Sequence, residues 1–321
     1  MWRYIGQRLL WIIAIIFCVA IIIFTIMYFV PGDPAAVALG NTSTEEQRYE
    51  WREMYGLNDS YIEQLGSFLS KVFLKMDLGT SYTFKTPVMT ELGNRIPRTV
   101  MLGCICLFFN AMIGIPLGVL CALHRNSPLD SGLMVGAMAG VSIPDFWLAL
   151  LMVILFSLTL GWLPAYGIGT WKHWVMPVIA GSIGGIAINA RQTRSAVLET
   201  MRADFVTTAR AKGLKEFNVV YKHMLPNALL PVVGMLGSAF ARCIAGTVVI
   251  ETVFSFPGVG TYLLSGISSR DYPIVRGCVL VLAIFAAFSN LLVDLIYAFM
   301  DPRIKAQYVA VSAKKGGGKS A

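Results

Sequence analysis

Charge is what this chain has least of. Only 14% of its 321 residues are Asp, Glu, Lys or Arg, against 56% hydrophobic, and mean hydropathy is +0.66. Soluble domains carry nearer about 25% charged residues, so a water-soluble globular protein is excluded. Histidine is scarcer still: His124, His173 and His223 fall in three separate loops and read as unrelated surface residues. The six cysteines (Cys18, Cys104, Cys106, Cys121, Cys243, Cys278) all lie in apolar stretches, where they act as small hydrophobes and imply no disulfide framework. Cys104 and Cys106 are two apart on a helix and point in different directions, which argues against a metal pair. A membrane enzyme would need clustered His, Glu or Cys on facing helices. A secondary transporter would need midplane carboxylates and inverted repeats. Neither pattern is visible, and no internal repeat stands out at periods of tens of residues.

Long apolar runs are what the chain does have. About 20 apolar residues suffice to cross the hydrocarbon of a bilayer. Six such runs are expected: Leu9–Val30, Val100–Leu123, Leu133–Leu160, Val175–Ala190, Pro226–Ile250 and Ile274–Met300. The first ends in Val30-Pro31-Gly32-Asp33 with no small-x-small cleavage site, so it reads as a retained helix rather than a signal peptide. The fold expected is all-α and polytopic.

Lys and Arg gather on one side of these runs. Arg3 and Arg8 precede the first, Arg125 follows the second, seven lie between Arg191 and Lys222, and Arg303, Lys305, Lys314, Lys315 and Lys319 follow the last. Cytoplasmic flanks carry this excess, so both termini are expected in the cytoplasm. Topology accounts for most of the net charge of +8 and no nucleic-acid partner is required, although anionic lipid could also meet these residues. Residues 31–98 read as an exported helical cap between a first helix (1–30) and a five-helix core (99–305). Its helices are expected near Thr44–Tyr55, capped by Ser43 or Thr44, and near Tyr61–Met76. Residues 306–321 read as a flexible basic tail. Gly316-Gly317-Gly318-Lys319-Ser320 resembles a phosphate loop, but Ala313 stands where a glycine is needed and no strand and helix flank it. The chain is expected to hold no ATP site of its own, no other cofactor and no metal.

The most distinctive polar stretch interrupts two apolar runs from Arg191 to His223. Asp204 can cap the run Phe205–Lys212, Gly213 suits a left-handed helix stop, and Leu214–Met224 can form a second helix before Pro226 opens the next span. This segment, DFVTTARAKGLKEFNVVYKHMLPNALLP, resembles the cytoplasmic loop of the permease subunits of binding-protein-dependent ABC importers. Ala209, Gly213 and Leu225-Pro226 fall on that family's pattern, while Thr207, Thr208 and His223 depart from it. The departures resemble the peptide and nickel branch. So do Pro31-Gly32-Asp33-Pro34, Asp77-Leu78-Gly79, Ser142-Ile143-Pro144, Gly161-Trp162-Leu163-Pro164, the run Glu251 to Gly260, Arg270-Asp271-Tyr272-Pro273 and Asp301-Pro302-Arg303.

The resemblance implies the type I importer permease fold in a bacterial inner membrane. It implies a second, homologous permease as heterodimer partner, two cytoplasmic ATPases that bind ATP and Mg, and an extracytoplasmic binding protein that delivers substrate. Short peptides are the first choice of cargo, with a nickel or other metal chelate as the alternative. The chain itself is then not an enzyme. Loop 191–225 becomes the coupling element, carried by Thr208, Ala209, Arg210, Lys212, Gly213, Leu214, Leu225 and Pro226. Small residues at 209 and 213 would permit close approach, and Arg210 and Lys212 would either meet acidic groove residues or form a solvated basic face.

Three charges near the spans complete the candidates for a translocation path. Arg242 sits inside the fifth run, either lining a cavity that attracts a carboxylate or paired within the bundle or with the partner permease. Glu251 lies at the end of that run, in a gating role or as an interfacial, solvated group. Asp145 follows Pro144 and reads as a polar contact at a broken helix.

Overall fold

A computed structural model describes the backbone of residues 2–40 and 42–300, with side chains throughout except at 2–4, 241–246 and 297–300. Helix follows helix. The chain opens with α1 (Trp2–Phe29), then α2 (Pro34–Leu39), α3 (Glu45–Met54) and α4 (Tyr61–Lys75), before the long α5 (Val88–Leu123). Next come α6 (Pro128–Ser142), α7 (Asp145–Met152) running into a π-helical stretch (Val153–Thr159), and α8 (Lys172–Thr200). The remainder is α9 (Asp204–Ala211), α10 (Glu216–Asn218) with a π-helical turn (Val219–Met224), α11 (Leu225–Val253), α12 (Val259–Ser268) and α13 (Tyr272–Met300). Among the described residues the sole β feature is an isolated bridge between Thr80 and Pro87.

Among the described residues, five helical segments are long and apolar enough to cross a membrane: Ile5–Phe29, Val88–Leu123, Lys172–Thr200, Glu216–Phe240 and Tyr272–Ile296. A sixth arises only if the broken pair Pro128–Ser142 and Asp145–Thr159 counts as one. The expected continuous run Leu133–Leu160 is therefore interrupted. Pro144 lacks the N–H that would continue the ladder and disfavours helix in the residue before it, and Ile143 takes an extended conformation (ψ 122°). The second span begins at Val88 rather than Val100, so its helix starts within the last residues assigned to the cap.

Local sequence sets the short cap helices. Asp33 accepts a hydrogen bond from Ala35 N at 3.0 Å and Pro34 occupies the first turn of α2, where a missing N–H does no harm. Thr44 and Gln47 form a reciprocal capping box at the start of α3. At α4 both bonds run one way: Ser60 Oγ and N donate to the Glu63 carboxylate at 2.7 and 3.0 Å and hold it below its ordinary range.

The chain divides into two compact units. The first comprises Met1–Gly103, Phe146–Ala180 and Ile244–Ala287; the second comprises Cys104–Asp145, Gly181–Cys243 and the chain from Phe288 onward. In the first unit, α1, the cap and the start of α13 share a core of Ile23, Met27, Ala35, Trp51, Tyr82, Tyr272 and Val275. The motif Arg270-Asp271-Tyr272 clasps this core. Buried Asp271 accepts from Ser81 Oγ at 2.7 Å and Thr83 N at 2.9 Å, residues some 190 positions away in sequence. Tyr272 OH donates to the carbonyl of Gly32 at 3.5 Å. Gly32 adopts φ +131° with the Arg270 guanidinium against it, where a Cβ would overlap Nη1.

In the second unit, Gly114 and Gly118 of α5 let α8 approach backbone to backbone. A Cβ at Gly114 would lie 2.8 Å from Ile186 O, and one at Gly118 would lie 2.5 Å from Ala190 O. Small residues one turn apart are the usual means of such close helix contact in lipid.

Candidate functional site

The interruption 191–225 folds in the second unit as α9, a tight turn and α10 with its π-helical continuation. Val206 and Ala209, three apart, lie on one face of α9 and pack with Val219, Val220 and Met224 from the returning segment. Val119 and Ala122 of α5, Val197 of α8 and Ala228 of α11 close the same cluster. The loop thus carries its own core, continuous with the helices that hold it. Gly213 makes the turn at φ +74°, yet a Cβ there would meet nothing within 4 Å. Its glycine serves the backbone conformation, which β-carbon-bearing residues adopt at a cost of about 1 kcal/mol, and not close approach.

Several expected roles change in this geometry. Ala209 is 6% exposed and faces the loop's own core, so the close approach its small side chain permits is to Val219 and Val220. Arg210 is engaged within the loop: its Nη2 and Nε reach the Glu216 carboxylate at 2.6 and 3.2 Å, tying α9 to α10 across Gly213. Glu216 pushes the Arg210 guanidinium further above its usual range. Asp204 is the first helical residue rather than the cap, and Ala203 holds the cap position without a side-chain bond. Thr208 and Lys212 are exposed; the Thr208 hydroxyl donates back to Asp204 O at 2.9 Å. Leu225 is half-buried against the cluster, and Pro226 is exposed.

Large apolar residues are exposed on the loop among its charged ones. Phe217 is 69% exposed and packs at a tilt against Tyr221 with ring centroids 4.4 Å apart. Phe205, Leu214 and Tyr221 are exposed on the same segment. Of these, Leu214 was among the expected coupling residues, whereas Phe205, Phe217 and Tyr221 were not. Their signal was present all the same, since Phe205 precedes buried Val206 and Phe217 and Tyr221 are four apart.

One strong ion pair anchors the approach to the loop and was not anticipated. Asp130, at the start of α6 and 3% exposed, accepts both Nε and Nη2 of Arg194 on α8 at 2.7 Å each. Asn126 N adds a third hydrogen bond to the same carboxylate at 3.0 Å. A planar bidentate pair of this kind fixes orientation as well as energy.

The charges named as a translocation path fall in different units and are described one by one. Glu251 belongs to the first unit and is 0% exposed, so it is not the solvated interfacial group that was one of its two expected readings. Its Oε1 accepts from Thr99 Oγ1 at 2.7 Å, its Oε2 accepts from Gly260 N at 2.7 Å and Thr261 N at 3.2 Å, and Thr247 adds a side-chain bond. The carboxylate therefore caps α12 at the helix terminus that favours negative charge. Gly258 and Gly260 admit it: a Cβ on Gly258 would sit 2.3 Å from Glu251 Cδ, and one on Gly260 2.5 Å from Val248 Cα. Asp145 is exposed and belongs to the second unit, at the break after Pro144. The side chain of Arg242 lies outside the described residues, as do residues 306–321 of the tail.

Comparison with known proteins bears on the whole chain. Residues 114–306 match the family described as "Binding-protein-dependent transport system inner membrane component", and residues 1–103 match its N-terminal companion. A dipeptide transport system permease protein of Alkalihalophilus pseudofirmus is 36% identical, covering 95% of this chain and 100% of its own length. A glutathione transport system permease of Pectobacterium atrosepticum is likewise 36% identical, covering 95% and 99%. An oligopeptide transport system permease of Bacillus subtilis is 35% identical, covering 94% and 99%. Among solved structures, an inward-facing form of the MetNI methionine ABC transporter aligns with TM-score 0.58 at 20% identity, covering 66% of this chain and 97% of that one. At that identity the likeness shows the fold, that of a type I ABC importer permease. With both family models matched in order and relatives aligned end to end, the chain belongs to the binding-protein-dependent transport system inner membrane component family, as one of its multi-pass membrane permeases.

Proposed function

We propose that this chain is one of two related permease subunits of an ATP-driven importer that passes short peptides inward from an extracytoplasmic binding protein. The observation that carries the coupling role is the loop 203–225, a self-cored unit with an exposed aromatic face. A helix pair that shares a buried core moves as a rigid body, so ATPase closure against Phe205, Leu214, Phe217 and Tyr221 would be passed to α8 and α11 rather than absorbed by the loop. Large aromatic residues are the usual anchors of such contacts. Lys212 and Lys215, exposed beside the turn, would complement acidic groove residues. ATP and Mg belong to the two partner ATPases, and the heterodimer partner is a second homologous permease. The Lys and Arg distribution supports a cytoplasmic loop and cytoplasmic termini. Peptide cargo is supported by the relatives, which are named for dipeptide, glutathione and oligopeptide transport, and this favours peptides over the nickel-chelate alternative.

The test is uptake of a labelled dipeptide by proteoliposomes holding this chain with the permease, ATPase and binding-protein subunits encoded beside it. Uptake is expected to require ATP and the binding protein. F217A combined with Y221A is expected to lower ATP-driven uptake at least tenfold and to release the ATPase on purification, with the chain still folded. Uptake driven by an ion gradient without ATP would overturn the assignment.

A further inference from the structure

Arg276 lies one turn into α13 and is only 9% exposed, yet among the described residues no carboxylate pairs with it and no hydrogen bond reaches it. Its Nε is buried without any partner. What surrounds the guanidinium is aromatic: Phe24, Phe68 and Tyr272 have ring centroids 4.3, 5.3 and 5.4 Å from Cζ. Tyr82 supplies no counter-anion, because burial pushes its phenol up and keeps it neutral. Arginine does not shed its proton in a protein, and rings offset only part of the cost of holding such a charge out of water.

The same side chain lines a cavity of about 500 Å³ beneath the cap, entirely within the first unit. That cavity has a second, opposite pole. Besides Arg276 and Lys71 it is lined by Glu53, Asp59 and Asp77. Two of these carboxylates are engaged, Glu53 by Asn58 Nδ2 at 3.0 Å and Asp77 by Gly79 N at 2.8 Å. The Asp59 carboxylate is exposed and, among the described residues, has no hydrogen-bond partner. Three carboxylates against two cations disfavour a multiply charged anion such as phosphate. A molecule that carries one charge of each sign satisfies both poles.

We propose that the cavity is a binding site for a small zwitterion, with the ligand's carboxylate on Arg276, its ammonium toward Asp59 and its apolar part against Phe68. A free amino acid and a short peptide share this chemistry. Preference for the peptide rests on the reading above, whereas recognition of the carboxylate does not.

The full chain, purified into lipid nanodiscs without ATPase or binding protein, is titrated calorimetrically with alanine, dialanine, dialanine amide, N-acetyl-dialanine and inorganic phosphate. Expected is saturable binding of dialanine or alanine, weakened at least tenfold both by amidation and by acetylation, with no competition from phosphate. R276Q is expected to abolish binding and R276K to keep a fraction of it. Dialanine amide binding as well as dialanine, phosphate or phosphatidylglycerol in the disc competing with the zwitterion, or absence of binding to the wild-type chain, would each overturn the site. The ligand series on the unaltered chain decides the matter even where R276Q fails to fold. Because no ATP is present, loss of this site and loss of the importer assignment are read in different assays.

Discussion

Glu251 and Arg276 are both ionic side chains buried in the same compact unit, and they are treated in opposite ways. Glu251 collects hydrogen bonds from Thr99, Thr247, Gly260 and Thr261, and two glycines leave it room. Arg276 has three aromatic faces, an unpaired Nε and a cavity. A buried charge whose bonding capacity is filled from within the fold is there to hold the fold. One left unfilled beside open space is available to something that arrives. Charge near a span is thus a poor guide to function until its partners are counted, and the sequence alone ranked Glu251 as a path residue while passing over Arg276.

The contrast can be broken at its strongest point first. E251A orphans the N–H groups of Gly260 and Thr261 in a buried site, and G258A drives a Cβ into the carboxylate. Each is expected to destabilise by about 3–5 kcal/mol, read as a collapse of the thermal midpoint in detergent by fluorescence-detected size exclusion. If both variants melt like the wild type, Glu251 does not hold the fold. D130N should follow, at about 2–4 kcal/mol, because it leaves Arg194 without its bidentate partner. The same melt reads it, and D130N with R194Q should recover part of the loss. G213A is expected to cost about 1 kcal/mol through its left-handed φ alone, with no clash to add.

Arg276 marks the opposite limb of the comparison. R276Q forgoes three cation–π contacts but also the cost of burying an unpaired charge, so its melt is expected within about 1 kcal/mol of wild type. A loss as large as that of E251A would make Arg276 structural and erase the difference between the two. R210A is the smallest effect: its pair with Glu216 is exposed on both sides, and such pairs contribute about 0–1 kcal/mol.

Some of this was legible residue by residue. Thr44, Ser60 and Pro34 mark helix starts by hydrogen-bond chemistry that is complete within three or four positions, and the structure starts helices at those places. Gly213 marks a left-handed stop for the same reason. Pro144 broke a run that hydropathy alone reads as continuous, since apolar counting is blind to one missing N–H. In the loop, the pattern of small residues located the element correctly while misdirecting their use. Ala209 faces inward, Arg210 is spent on Glu216, and Phe205, Leu214, Phe217 and Tyr221 are exposed among the loop's charged residues.

By itself the sequence determined the all-helical membrane class, most of the spans, the interrupting loop and the family, because apolar run length, caps and motif spacing are properties of short stretches of chain. Tertiary structure decided which charges are satisfied. Asp271 finds Ser81 and Thr83, Glu251 finds Thr99, and Asp130 finds Arg194, all across separations that spacing does not encode. Among the described residues Arg276 finds only aromatic rings and a cavity, and whether a buried charge has a partner depends on what the folded chain brings within about 3 Å of it.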